Sequence, residues 1–229
     1  MDSRTPELIF VHIPKCGGLS FLHTLQDVYG AENCQQVWDL LPYKLENHGD
    51  FTHIIDSPLY EDRAGFMQSL HEAFSQPIEA KVLHGHLPLW AYDGYFPSVP
   101  RVTWLRNPER QVLSRIFHFR KHQILGAHLV APGLLITDVV FRNNQFWYTG
   151  GMVRQFTFAG TVENYSVGLK RLASQMGWGD VVAYHDHRTG FEEGLRTQCE
   201  QDELFMRCLR RANVHDFAQW DYVSGLTER

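Results

Sequence analysis

Cysteine is scarce: Cys16, Cys34, Cys199 and Cys208 are the four in 229 residues, with no CxxC pair and no dense spacing. That excludes a disulfide scaffold and a thiolate zinc domain, and it points to reduced thiols in a cytosolic setting. No apolar run approaches the ~20 residues that cross a bilayer. The polar stretch Met1 to Glu7 has no charged region followed by a cleavable apolar segment, so a soluble, cytoplasmic chain is expected. Positive charge is not in excess either. Lys and Arg number 21 against 26 Asp and Glu, a formal charge of -5, which offers no global field to a polyanion and excludes nucleic acid as an expected partner. Repeats and low-complexity segments are absent. What remains, 44% hydrophobic and 21% charged residues, is ordinary for a globular protein, and one core can serve this length. A single domain over residues 1–229 is expected.

Hydrophobic patterning orders the chain. Leu8 to Ile13, broken only by His12, is an apolar run suited to a strand buried on both faces of a parallel sheet. Pro14 to Gly18 interrupts it, and Leu19, Leu22, Leu25, Val28 and Tyr29 then follow at helical spacing as far as Gly30. Further strands are expected at 52–55, 81–85 and 101–105, with a helix over 62–74. Asn107 as N-cap and Pro108 at the first helical position start a helix to about His122. On it Val112, Leu113, Ile116 and Phe119 form an apolar stripe, while Arg110, Ser114 and His118 share another face. Residues 126–133 read as a loop, 143–158 as partly helical, and 162–176 and 192–211 as helical. Strands alternating with helices predict an α/β fold, a P-loop-like parallel sheet flanked by helices.

The segment His12-Ile-Pro-Lys15-Cys16-Gly17-Gly18-Leu19-Ser20 sets two glycines, a lysine and a hydroxyl between a buried strand and a helix start. Glycines let backbone N–H groups approach an anion, the unpaired first-turn amides favour negative charge, and lysine adds a full positive one. Because Lys15 precedes the glycines, the spacing departs from the GxxxxGK[ST] loop of ATP-binding proteins.

This run resembles the 5'-phosphosulfate loop, PKTGGTS, of sulfotransferases that use 3'-phosphoadenosine-5'-phosphosulfate (PAPS). The branch resembled is the carbohydrate one, in the group holding the heparan sulfate 2-O- and 6-O-sulfotransferases and bacterial relatives. Val102-Thr-Trp-Leu-Arg106-Asn-Pro108, with Ser114 eight residues after the arginine, is similar to that family's 3'-phosphate segment. The resemblance implies a sulfotransferase fold and transfer of a sulfuryl group from PAPS to a hydroxyl of a small molecule or glycan. It implies that Lys15 meets the phosphosulfate, that Cys16, Gly17, Gly18, Leu19 and Ser20 hold the 5'-phosphate, and that Arg106 and Ser114 bind the 3'-phosphate. Leu83-His84-Gly-His86-Leu-Pro is similar to the family's GH-x-P segment, which makes His86 the expected general base and Lys15 its catalytic partner. Asn143-Asn144 and the stretch 149–158 resemble the N-x-x-TR helix and would place Arg154 beside the acceptor. No metal is implied.

The chain departs from the family in carrying Cys16 and Leu19 where threonines are usual. Tyr222 to Arg229 resembles a family strand that more helix normally follows, so either a domain shortened at its C-terminus or a member whose last helices are dispensable is expected. Rival readings are a P-loop-type kinase, which needs a lysine after the glycines, and a nucleotide-binding protein without turnover. Trp90, Tyr92, Tyr95 and Phe96 read equally as a sugar-facing wall and as core. His185-Asp186-His187 reads as a polar turn.

Overall fold

Five short strands carry the architecture of the computed structural model, which describes residues 5–40, 63–185 and 190–227. They are β1 (Leu8–Val11), β2 (Cys34–Gln36), β3 (Val82–Gly85), β4 (Arg101–Leu105) and β5 (Phe158–Thr161). All pair in parallel, in the order β2-β3-β1-β4-β5. Successive side chains of a strand point to opposite faces, so an apolar run such as Leu-Ile-Phe-Val feeds two layers at once. Leu8, Phe10, Val82, Val102 and Trp104 pack on one face against Phe21 and Leu25 of α1 (Gly18–Tyr29) and Tyr165, Leu169 and Leu172 of α7 (Tyr165–Met176). Ile9, Val11, Leu83 and Leu105 pack on the other against α4 (Pro108–Lys121), whose Val112, Leu113, Ile116 and Phe119 are buried as their spacing predicts.

The remaining helices are α2 (Arg63–Phe74), α3 (Trp90–Asp93), α5 (Pro132–Leu135), α6 (Asn144–Thr149), α8 (Glu193–Gln201), α9 (Glu203–Ala212) and α10 (Val214–Thr227). The expected strand at 52–55 lies outside the described residues. The stretch 126–133, expected as loop, holds most of a 3-10 segment (Ile124–Leu129) and the start of α5. Tyr222 onward, expected as strand, continues α10 as far as Thr227. The reason is a stripe of period three to four, Asn213, Asp216, Gln219 and Val223, all buried.

In the sheet order, the segment leaving β1 leads toward β2 on one side and the segment leaving β4 leads toward β5 on the other. Adjacent strands whose connections part in this way leave a crevice at their carboxyl ends, where ligands of open α/β sheets collect.

Candidate active site

Both phosphate segments predicted from sequence open into that crevice. After β1 the chain turns through Lys15 and Gly17, both in the left-handed region (φ 64° and 73°). A lysine there is held against its own preference, and the holding contacts lie on either side of it. Gln111 Nε2 donates to Pro14 O at 3.0 Å, Arg106 Nη1 donates to Lys15 O at 3.2 Å, and the Cys16 thiol donates to Gln145 Oε1 at 3.7 Å. Helix α1 then starts without a side-chain cap and without an acidic residue in its first turn. Its positive end is therefore left for an anion. Gly18 is glycine for a local reason as well: a Cβ there would overlap the His12 ring.

The loop residues differ in what they can offer. Cys16 is 1% exposed and packed into the core, and burial drives its thiol far above the ordinary range. The Cys16 side chain anchors the loop from beneath. Leu19 is 60% exposed and brings only backbone polar groups, while Ser20 is buried in the first turn of α1.

Arg106 follows β4 directly, and its backbone is held at both polar atoms by one side chain. Its N–H donates to Gln145 Oε1 at 2.9 Å and its carbonyl accepts from Gln145 Nε2 at 2.8 Å. Burial lowers the guanidinium pKa from its ordinary value, with the Cys16 and Glu163 groups acting in the opposite direction. Its Nε has no hydrogen-bond partner among the described residues. Asn107 caps α4 as predicted, its Oδ1 accepting from Glu109 N and Arg110 N. Ser114 is half-buried on the α4 face it shares with His118, and His118 Nδ1 lies 3.5 Å from Lys15 Nζ. Residues four apart on a helix are neighbours, so this face is the one turned to the lysine.

His86 stands just beyond β3, on the strand next to β1. Its Nδ1 is 2.6 Å from His12 O. A carbonyl only accepts, so Nδ1 carries the hydrogen, and in the neutral ring the lone pair is then on Nε2. The His12 ring packs against both Phe10 (centroids 5.2 Å) and His86 (4.2 Å). Burial, reinforced by His86, His84 and Lys15, lowers the His12 pKa well below its ordinary value. Burial likewise brings His84 down to about 4. Among the described residues no group of three His, Cys, Asp or Glu side chains is arranged to hold a metal ion.

Arg154 is not brought to this site. It stacks on Tyr222 (4.6 Å to the ring centroid) in a groove of about 260 Å³ shared with Thr157, Phe158, Arg171, Gln175 and Leu226. Phe158 pairs with Val102 near the start of β4, whereas Thr161 pairs with Leu105 at its end. The groove therefore lies toward the amino ends of β4 and β5. Tyr92 and Phe96 are core, packed on Phe74, while Trp90 is 36% exposed. His185 lies beside the Tyr165 ring (6.2 Å), and Asp186 and His187 lie outside the described residues.

Sequence reasoning missed most of the layer that holds the site: Gln111, Gln145 and Asp216, buried together with Asn144, which the N-x-x-TR resemblance had singled out. Gln111 was the readable one, a polar residue beside the apolar stripe of α4. Asp216 accepts from Gln145 N (3.2 Å) and Phe146 N (2.7 Å) at the start of α6. Desolvation nonetheless raises its carboxyl to about 7.

No protein-family model matches the chain, and no curated protein matches it. Among solved structures, the crystal structure of a sulfotransferase from Alicyclobacillus acidocaldarius is similar over 91% of this chain and 96% of that one, with 16% sequence identity and a TM-score of 0.44.

Proposed function

We propose that the protein is a sulfotransferase that moves a sulfuryl group from PAPS to a hydroxyl, in the first place one on a carbohydrate. The observation that carries this reading is the contact between Arg106 Nη1 and Lys15 O at 3.2 Å. It joins two cationic segments about ninety positions apart in one crevice, as a nucleotide with phosphate at both 3' and 5' positions requires. The residues fit such a ligand. The α1 N-terminus is uncapped, Arg106 Nε is buried with no hydrogen-bond partner among the described residues, and Lys15 and Arg106 supply charge. Gly17, Gly18, Leu19 and Ser20 would take the 5'-phosphate through backbone amides and the Ser20 hydroxyl. Arg106 and Ser114 would take the 3'-phosphate, since guanidinium grips phosphate in a fork.

PAPS supplies a sulfuryl group on a phosphate leaving group. The acceptor oxygen forms the new bond to sulfur as the bond from sulfur to the phosphate oxygen breaks. His86 receives the acceptor proton at Nε2, the atom its Nδ1 hydrogen bond leaves as base. Lys15 stabilises the charge that appears on the departing phosphate, an interaction worth most in the transition state. A catalytic domain without a metal requirement follows from this assignment.

Calorimetric titration with 3'-phosphoadenosine-5'-phosphate, beside AMP and ATP, tests the reading on the wild type and on Lys15→Ala and Arg106→Ala. Selective binding of the bisphosphate, weakened by both substitutions, is expected. Preference for ATP with magnesium would turn the assignment to a kinase, and bisphosphate binding with no sulfuryl transfer to any of a panel of hydroxyl acceptors would leave a nucleotide binder.

A further inference from the structure

We propose that Asp216, on α10, is a positioning residue for the anion-binding loop: it holds α6 in the place from which Asn144 and Gln145 clamp the chain on both sides of Lys15. The functional meaning of this clamp rests on the sulfotransferase reading, but the clamp itself does not.

Asp216 Oδ2 accepts from Gln145 N and Oδ1 from Phe146 N, and Asn144 N adds a further backbone interaction. These are the first amides of α6, which has no side-chain cap of its own. A carboxylate reaching over from another helix thus performs the capping that the local sequence does not. The junction is reciprocal, because Asn143 Oδ1 accepts from His215 N and Asp216 N while Asn213 Oδ1 accepts from Asn143 N. The start of α6 and the start of α10 therefore fix each other.

From that junction two side chains extend toward the crevice. Asn144 Oδ1 accepts from Gln111 Nε2, which also donates to Pro14 O, the residue before Lys15. Gln145 takes both backbone polar atoms of Arg106 and the thiol of Cys16, the residue after Lys15. Lys15 keeps a left-handed backbone between these two anchors, and Arg106 holds its carbonyl. Without the acceptor on α10, three amides of a six-residue helix would lose their partner, two of them on the buried residues Asn144 and Gln145. Such a short helix has little stability of its own. The first contacts to loosen would be those of Gln145, and with them the position of both cationic groups. Asp216 acts through Gln145, which it holds by the backbone and which in turn holds Arg106 and Cys16.

The test has one readout that needs no ligand. Cys16 is buried beneath the loop with its thiol on Gln145, so its alkylation by iodoacetamide in the native protein, followed by peptide mass spectrometry, reports the clamp. Asp216→Ala is expected to speed Cys16 alkylation about tenfold or more, and to weaken binding of 3'-phosphoadenosine-5'-phosphate by a similar factor. Asp216→Asn retains one accepting oxygen but sets its NH2 against the other amide, so both readouts should fall between those of Asp216→Ala and the wild type. If Asp216→Ala does not fold, Gln145→Leu cuts the same arm from α6 and should give the same two changes. In the Arg106→Ala background the further loss of binding on Asp216→Ala should shrink, because the route through Arg106 is already gone. Unchanged Cys16 protection in Asp216→Ala would overturn the proposal, as would Asn behaving like Ala, or full additivity with Arg106→Ala. If the wild type failed to bind the bisphosphate, the functional reading would fall, while the alkylation result would still decide the clamp.

Discussion

Strand β4 carries an arginine at its first residue and another just past its last, and the two are treated in opposite ways. Arg101, at the amino edge, is buried against Asp93 (3.0 Å) and also donates to Phe96 O. Arg106, at the carboxyl edge, spends Nη1 on a carbonyl and leaves Nε without a hydrogen-bond partner among the described residues. Arg101 Nε, like Arg106 Nε, has no hydrogen-bond partner among the described residues, so the difference lies in charge: a guanidinium met by a carboxylate is neutralised, whereas one met only by a neutral oxygen retains its attraction for an anion. The lesson is that charge alone does not mark a site; the mark is charge that the fold has buried and has not neutralised. The same division holds across the sheet, with Lys15, His86 and Ser114 on Arg106's side and Arg154 toward Arg101's side.

The largest effect should come from the carboxyl edge. His86→Ala is expected to lower sulfuryl-transfer turnover by about 100- to 10,000-fold while leaving the affinity for the product nucleotide within about threefold of wild type. Initial rates at saturating donor, beside calorimetric binding of the product, separate the two. A parallel loss of binding would mean that His86 shapes the pocket and is not the base.

Next comes the arginine pair itself. Arg106→Ala should weaken binding of 3'-phosphoadenosine-5'-phosphate by about tenfold to a hundredfold, the value of one or two charge-assisted hydrogen bonds, with little change in thermal stability. Arg101→Ala should do the reverse: binding retained, and stability lowered by about 1–3 kcal/mol, because Asp93 and Phe96 O lose their donor. Denaturant unfolding of both variants beside titration would break the comparison if the two behaved alike.

How far the sequence shows this division can be argued residue by residue. The glycine loop, the end of β4 and the α4 cap were legible because each is local: a turn chemistry, a boundary and a capping pair fall within a few residues, and they appear where predicted. Strands β2 and β5 were not. Cys-Gln-Gln is polar because it lies at the sheet's edge, and Phe-Ala-Gly-Thr gains its place from Trp104, whose ring occupies the space a Cβ at Gly160 would need. The layer of Gln111, Gln145 and Asp216 was illegible for a different reason. A buried polar residue is recognised by its partners, and these partners lie 97, 39 and 71 positions away. Arg154 is the converse case, a residue singled out by a motif whose surroundings, the Tyr222 ring and the groove beside Phe158, come from distant segments.

Titration sharpens the comparison again, through groups near the carboxyl edge that shift in opposite directions. Asp216 is raised by burial to about 7. Between its ordinary value near 4 and about 7 the folded chain keeps a proton that the unfolded chain has lost. That contribution to stability is full below about 4 and is lost as pH rises through about 7. His84 is lowered by burial to about 4, so between about 4 and 6.5 the unfolded chain holds the extra proton. Its contribution is full above 6.5 and is lost as pH falls through about 4, and His12 acts with the same sign. The opposed slopes offset each other over the same range. Asp216→Asn should therefore expose the histidines, with the melting temperature falling as pH drops from 6.5 to 4 more steeply than in the wild type. His84→Gln should show the opposite change, melting higher in acid relative to wild type. Thermal unfolding at half-unit pH steps measures both, and parallel curves for the three proteins would show that these groups do not control the slope.

The smallest effect belongs to Arg154, and it is the one that most directly sets the structure against the motif. If Arg154 served the acceptor, Arg154→Ala would raise the acceptor KM or lower turnover severalfold. In the structure its guanidinium stacks on Tyr222 in a groove open to solvent, beside Thr157 and Phe158 at the amino-edge end of β5. An exposed cation–π contact of this kind is worth about 0.5–1 kcal/mol, so stability should fall by no more than that. Nucleotide affinity and transfer kinetics should stay within about twofold of wild type, since a site remote from the reacting groups couples weakly to them. Steady-state rates with the acceptor varied at fixed donor would decide it. A KM effect confined to long glycan acceptors, absent with a monosaccharide, would extend the acceptor path from the crevice across the sheet edge and would make the two edges parts of one surface.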